Sequence, residues 1–253
     1  FTALDQLLAT AISKKIFPGG VVYISDAGKC IYHKAFGSYT YDDSSLPISE
    51  ETLFDCASLT KVLVTTTIAI LLVQDGLLTL SLPVAYYIPE FAHGGKEAIT
   101  LEHLLIHESG IEDVHFYKTG EPLEEGFKKL CLYQANNPPG VFHCYSDVNM
   151  ILLQHCIERV TGLTLDQAFD HYVLSRLPEA KAQFNPADTK HCAPTEKDLQ
   201  GIVQDRQAQA LGGVAGHAGL FARACDVAQI GELWALQQLP VSSTVIDDWT
   251  QKR

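Results

Sequence analysis

Residues 54–84 open with Phe54-Asp55-Cys56-Ala57-Ser58-Leu59-Thr60-Lys61, continue through an apolar run over 62–73, and close on Asp75-Gly76-Leu77-Leu78-Thr79-Leu80-Ser81-Leu82-Pro83-Val84. This stretch predicts a helix over 58–75, with Gly76 as a natural residue to end it in the left-handed conformation. The apolar run falls short of the roughly 18 residues of a membrane span and contains Thr65, Thr66 and Thr67, so it reads as a buried core helix. Ser58 and Lys61 stand three apart, on one helix face. If Ser58 opens the helix, its Oγ lies among unpaired first-turn N–H groups at the positive end of the macrodipole. Both favour a developing negative oxygen. Lys61 accepts the Ser58 proton only as the neutral amine, a form promoted by burial or a neighbouring cation. A base beside a serine hydroxyl is the general recipe for an activated nucleophile. The bare motif also has a plainer reading, a serine N-cap followed by a solvated lysine.

Working outward, residues 2–16 show helical apolar spacing at Leu4, Leu7, Leu8, Ala11 and Ile12. Pro18-Gly19-Gly20 ends it. Strands over 21–25 and 30–36 follow, joined by the turn Asp26-Ala27-Gly28-Lys29. Downstream, helices are expected over 101–107 and over 147–161, the latter stopped by Gly162. Thr164-Leu165-Asp166-Gln167 reads as a capping box opening a helix to about 177. Residues 211–221 are glycine-rich, and a last helix covers 226–236. Strands come first, then a helical block, then glycine-rich chain returning to the sheet. The expected class is α+β, an antiparallel sheet flanked by helices, formed by 1–82 and 205–253, with an all-helical domain over 83–204 inserted. A cleft between two such units is the default ligand site.

Composition sets the outer bounds. The chain has 253 residues, 47% hydrophobic and 19% charged, enough for one large domain or two coupled ones. Its net charge of −12 repels phosphate backbones, so no nucleic-acid partner is expected. No membrane span is expected either. The seven cysteines are odd in number and form no CxxC pair. That disfavours a disulfide framework or zinc knuckle and leans towards buried thiols in a reducing compartment. Cytoplasm and periplasm both stay open. The sequence begins at Phe1 rather than Met, through a removed signal peptide or a sequence boundary.

The residues quoted for 54–84 together resemble the nucleophile region of class C β-lactamases and their relatives: low-molecular-weight penicillin-binding proteins, family VIII-type esterases and D-amino-acid peptidases. Ile99-Thr100-Leu101-Glu102-His103-Leu104-Leu105-Ile106-His107-Glu108-Ser109-Gly110-Ile111 resembles that family's "LLTHTSGL" segment. Cys192-Ala193-Pro194-Thr195-Glu196 and Leu211-Gly212-Gly213-Val214-Ala215-Gly216-His217-Ala218-Gly219-Leu220-Phe221 are similar to two later ones. The likeness covers about 18–236 and implies a bacterial β-lactamase/transpeptidase-like fold. It also implies a serine hydrolase that forms an acyl-enzyme at Ser58. The substrate would be a small molecule or a peptidoglycan-type peptide: a D-Ala-D-Ala peptide, a β-lactam or a small ester. No cofactor or metal is called for, and oligomeric state is left open.

The family's second element is Tyr-x-Asn or a close variant, matched by Tyr145-Ser146-Asp147. The resemblance gives Tyr145 the role of proton shuttle, with Lys61 and Tyr145 acting on each other's ionisation. Asp147 either bonds Lys61 or substrate, or only caps the helix that begins there. The third element is Lys-Thr-Gly or His-x-Gly on a late strand. The sequence contains His217-Ala218-Gly219, but the flanking residues match a family segment upstream of that strand. His217 and Gly219 are therefore expected at the cleft edge, the glycine serving backbone geometry. Relatives continue into three further strands, whereas here a short tail ends in Arg253. More chain, a second chain completing the sheet, or a truncated product are the expectations, and a catalytically inactive binding or assembly protein is the rival function. His103 and His107 stand at i, i+4 beside Glu102 and Glu108, a spacing that can hold zinc but lacks the HExxH pattern. They are read as structural. Cys56 and Cys144 are read as packed thiols, and the acidic residues of 121–125 as a solvated face.

Overall fold

The computed structural model describes residues 1–242; the tail quoted above lies outside them. The chain opens with α1 (Thr2–Ser13), then β1 (Gly19–Asp26) and β2 (Lys29–Gly37), an antiparallel hairpin in register from Gly19↔Gly37 to Asp26↔Lys29. A register shift between Ile24 and Ser25 bulges it. The short β3 (Phe54–Asp55) leads into the turn that carries Ser58. The helix that follows is wound as a π-helix over Lys61–Thr66 and continues as α2 (Thr67–Gln74). It ends at Gly76, with φ 72, as the sequence predicts.

Helices dominate the next hundred residues: α3 (Val84–Tyr87), α4 (Leu101–Leu105), α5 (Leu123–Leu132), α6 (Asp147–Thr161) and α7 (Leu165–Tyr172). Gly162 closes α6 with φ 70. The Thr164 N–H donates to Gln167 Oε1 at 3.2 Å, one arm of the expected capping box. The chain returns through β4 (Gln183–Phe184), α8 (Arg206–Ala210), β5 (Leu220–Ala222) and α9 (Ala224–Ala235).

The sequence expectations place neither β4 nor α5. β4 lies inside the stretch read as all helical, and it pairs with β5 in a small sheet of order β3-β5-β4. Two residues of strand carry no period-2 signal, so only their partners reveal them. The acidic residues Glu124 and Glu125 begin α5, whose opposite face buries Leu130 and Cys131. The solvated face was there, on a helix.

The core forms around α2. Its residues Thr67, Ile68, Ala69, Ile70, Leu71 and Leu72 are all buried, so the helix is enclosed on every side. α6 and α7 pack on one flank and α9 approaches the π-helical segment, while α9 also packs on β1 and α1 on β2. Threonine at 67 belongs in this core because its hydroxyl is satisfied. It donates to the Val62 carbonyl at 2.8 Å and accepts from Trp234 Nε1 at 2.9 Å. Four of the seven cysteines are buried and all seven are free thiols. No helix among the described residues is long and apolar enough to cross a membrane.

Candidate active site

Ser58 sits at the mouth of the π-helical segment, on a turn fixed from below. Ala57 takes φ 45, costly for a residue with a Cβ. Asp55 compensates: its Oδ1 accepts the Ala57 N–H at 2.9 Å and its Oδ2 the Gln204 N–H at 2.8 Å. On the other side, Cys56 N–H donates to Leu220 O at 2.8 Å, and Leu220 N–H to Thr60 Oγ1 at 3.2 Å. The turn carrying Ser58 is thus stitched to β5. The first-turn amides are not free as the sequence reading assumed. Leu59, Thr60 and Lys61 N–H donate to the carbonyls of Cys56, Ala57 and Ser58 at 2.9, 3.0 and 3.1 Å. A tight turn before the helix absorbs them.

Lys61 is only 4% exposed. Its Nζ donates to Ser58 Oγ at 2.9 Å and to the His217 carbonyl at 3.2 Å, and lies 2.7 Å from Asp147 Oδ1. Those three acceptors match the three N–H bonds of an ammonium. The burial anticipated for Lys61 is present, but the charged neighbour is an anion, Asp147, rather than a cation. Nζ also lies 4.8 Å from the centroid of the Tyr145 ring, so Lys61 meets Tyr145 through its π face. Tyr145 itself is half exposed, as is Ser58.

The cap of α6 is Ser146, and Asp147 is its first residue. Of the two readings of Asp147, the structure realises the contact with Lys61. Its backbone N–H donates to Asp113 Oδ1 at 2.9 Å. Its position in the first helical turn suits a carboxylate.

His217 is buried, 1% exposed, and reaches the site through its backbone carbonyl. Its ring lies beside the site as well, with Nε2 2.7 Å from Asp205 Oδ1. Asp205, missed in the sequence, caps α8 by accepting the Ala208 N–H at 2.7 Å. Burial alone would raise its carboxyl; the His217 and Ala208 hydrogen bonds reverse this and hold it down to about 2. Donor atoms of Asp147, Asp205 and His217 lie within 4.8 Å of one another, with the Lys61 ammonium already against Asp147. Gly219 is buried with φ 115, and a Cβ there would stand 2.3 Å from Gly213 O. The position serves backbone geometry.

His107, singled out in the sequence only for its spacing from His103, also lies at the site. The structure separates it from His103, which folds back onto Thr100 in the capping box of α4. His107 stacks on Tyr145 with ring centroids 4.5 Å apart. Burial, helped by the Lys61 charge, brings its imidazole down to about 4. Cys56 is no competing nucleophile, since burial pushes its thiol up to about 12. A cavity of about 550 Å³ opens beside Leu59, lined also by Tyr23, Phe54, Asp55 and Val227. A larger one of about 770 Å³, around Phe127, His155 and Arg159, shares no residue with the Ser58 site.

Residues 4–251 match the family model described as Beta-lactamase. The chain is 30% identical over 267 residues to an N-acetylmuramyl-L-alanine amidase of Bacillus subtilis, covering 89% of this chain and 60% of that protein. It is 29% identical over 258 residues to a putative D-alanyl-D-alanine carboxypeptidase of Escherichia coli K12, covering 84% and 58%. It therefore spans about three fifths of the length of these curated relatives. Among solved structures, EstCE1, a hydrolase with promiscuous acyltransferase activity, superposes with a TM-score of 0.82 at 21% identity, covering 97% of this chain and 75% of that one. The shared fold is the one anticipated from the 54–84 stretch. The relatives named are hydrolases, and the match to the family model runs nearly end to end: the chain belongs to the β-lactamase family.

Proposed function

We propose that this protein is a serine hydrolase that carries its substrate as an acyl-enzyme on Ser58. The observation that carries the reading is the 2.9 Å contact of buried Lys61 Nζ with exposed Ser58 Oγ, on a turn that strain and hydrogen bonds hold in place. Attack of Oγ on an ester or amide carbonyl forms the acyl bond, and the hydroxyl proton passes to Lys61. Lys61 must first release a proton of its own, and Asp147, 2.7 Å away, is the group placed to share it. Tyr145 gives its hydroxyl proton to the leaving group and is reprotonated by the serine proton held on Lys61. Water then releases the acid. Ser58 and Lys61 come from the 1–82 part and Tyr145 and Asp147 from 83–204, so the reading puts the reaction where the proposed sheet and helical units meet, with β4 crossing to pair with β5.

The substrate class we infer is an amide or ester of the peptidoglycan-peptide kind, in line with the amidase and carboxypeptidase relatives. A fluorescent penicillin and a fluorophosphonate probe test the mechanism. Covalent labelling that disappears in Ser58→Ala is expected. A protein that no probe labels, or one labelled equally after Ser58→Ala, overturns the reading and leaves the rival one, a binding or assembly role.

A further inference from the structure

His107 holds a left-handed backbone conformation. Its φ is 58, in the left-handed region, where a Cβ costs energy unless surrounding structure enforces it. The enforcing contacts are specific. The Ser109 hydroxyl donates to Asn149 Oδ1 at 2.6 Å, which turns the Asn149 amide nitrogen towards His107. That nitrogen donates to His107 Nδ1 at 3.1 Å, and the Ser146 N–H points to the same atom at 3.3 Å. With two donors directed at it, Nδ1 carries no proton, and the ring's one N–H is on Nε2. The His107 carbonyl meanwhile accepts the Cys144 N–H at 2.9 Å, tying down the segment that delivers Tyr145. The imidazole lies against the Tyr145 ring at 4.5 Å with a 34° tilt, and that ring also faces Lys61.

Resting on the acyl-enzyme reading above, we propose that His107 is a positioning residue: a neutral imidazole of fixed tautomer that holds the half-exposed Tyr145 ring in the orientation from which its hydroxyl serves Ser58. A half-exposed tyrosine otherwise rotates about its side-chain bonds, and misplacement of a proton-transfer group is costly. The depressed basicity of His107 is consistent with this, since burial disfavours an imidazolium there and one would also stand against the Lys61 charge.

The test is a double-mutant cycle with a fluorophosphonate labelling rate and the hydrolysis of p-nitrophenyl acetate as readouts. His107→Asn suits the left-handed backbone but removes the ring. It is expected to lower both rates by about 10²-fold, mostly in kcat, with the urea midpoint unchanged. In a Tyr145→Phe protein, which keeps the ring and loses the hydroxyl, adding His107→Asn should change little, because the group it aims is gone. As a second variant, His107→Gly should recover labelling rate when imidazole is added, relative to wild type in the same buffer. A His107→Asn protein as fast as wild type overturns the proposal. So does an equal loss in the Tyr145→Phe background, or a stable His107→Gly protein that imidazole fails to rescue. A wild-type protein that neither labels nor hydrolyses overturns the acyl-enzyme reading instead, which keeps the two failures apart.

Discussion

Asp205 shows how one residue can link stability to the site. Its carboxyl is held at about 2, below the ordinary 3.8, by the His217 ring and the Ala208 N–H. A carboxyl depressed on folding stabilises the native state fully at pH above its unfolded value, and that stability is lost as pH falls through the folded value. Asp205 should therefore contribute on the order of 2 kcal/mol above about pH 5, declining between about pH 4 and 2. Urea titrations of wild type and Asp205→Asn across that range check this: the two curves should converge towards pH 2. Curves that stay parallel would refute it. At this scale the sequence was partly legible. Ser58, Lys61, Tyr145 and Asp147 stood in recognisable patterns, and the structure brings all four together. Asp205 did not stand out, and His107 stood out only for its i, i+4 spacing from His103, because neither a capping aspartate nor that spacing tells whether a lysine lies behind the residue. His217 was visible, but it reaches the site through a carbonyl that every residue possesses.

The element that organises the site is the helix after Ser58. Its apolar length was legible, and so were its glycine stop and the capping box of α7. Its winding was not. The π segment depends on Thr67 satisfying the Val62 carbonyl and on Trp234 satisfying Thr67, a partner more than 160 residues away. Such π segments are frequent at functional sites, and this one carries Lys61 in its first position. Because α2 is buried on all sides, it has no face on which a cavity can relax. Ile68→Ala should cost about 2–5 kcal/mol in urea unfolding. A loss under about 1 kcal/mol would show that the core around α2 collapses readily and is less close-packed than the burial indicates.

Across the whole molecule, Arg223 ties together segments far apart in sequence. It bonds Asp226 at 2.7 Å and Glu51 at 2.9 Å, and donates to the Glu179 carbonyl at 2.7 Å. Asp226 is fully buried and also accepts the Lys181 N–H at 3.2 Å. Arg223→Met leaves that carboxylate without its charge partner and should cost about 3–5 kcal/mol, read from the urea midpoint. Equal stability of the variant would mean that solvent reaches Asp226. This clamp sits where β5 passes into α9, beside the β3–β5 pairing that sets Ser58 against the loop of Gly216 and His217. The Ser58 turn, the Tyr145–Asp147 segment, the α8 cap and that loop each contribute contacts to Lys61 or to a residue that touches it.

The amino-acid sequence by itself determined the family, most of the longer helices, the first hairpin, and which residues would meet around Lys61. Those properties follow from local periodicity, glycine and proline placement, and short motifs. The tertiary structure chose between the two readings of Asp147 by setting its carboxylate on Lys61, added the His217 carbonyl from another segment, and packed His107 against the Tyr145 ring that faces Lys61. Hydrogen bonds and charge contacts act over a few ångströms, whatever the separation along the chain, so a site assembled from four segments exists only once the core has brought them together.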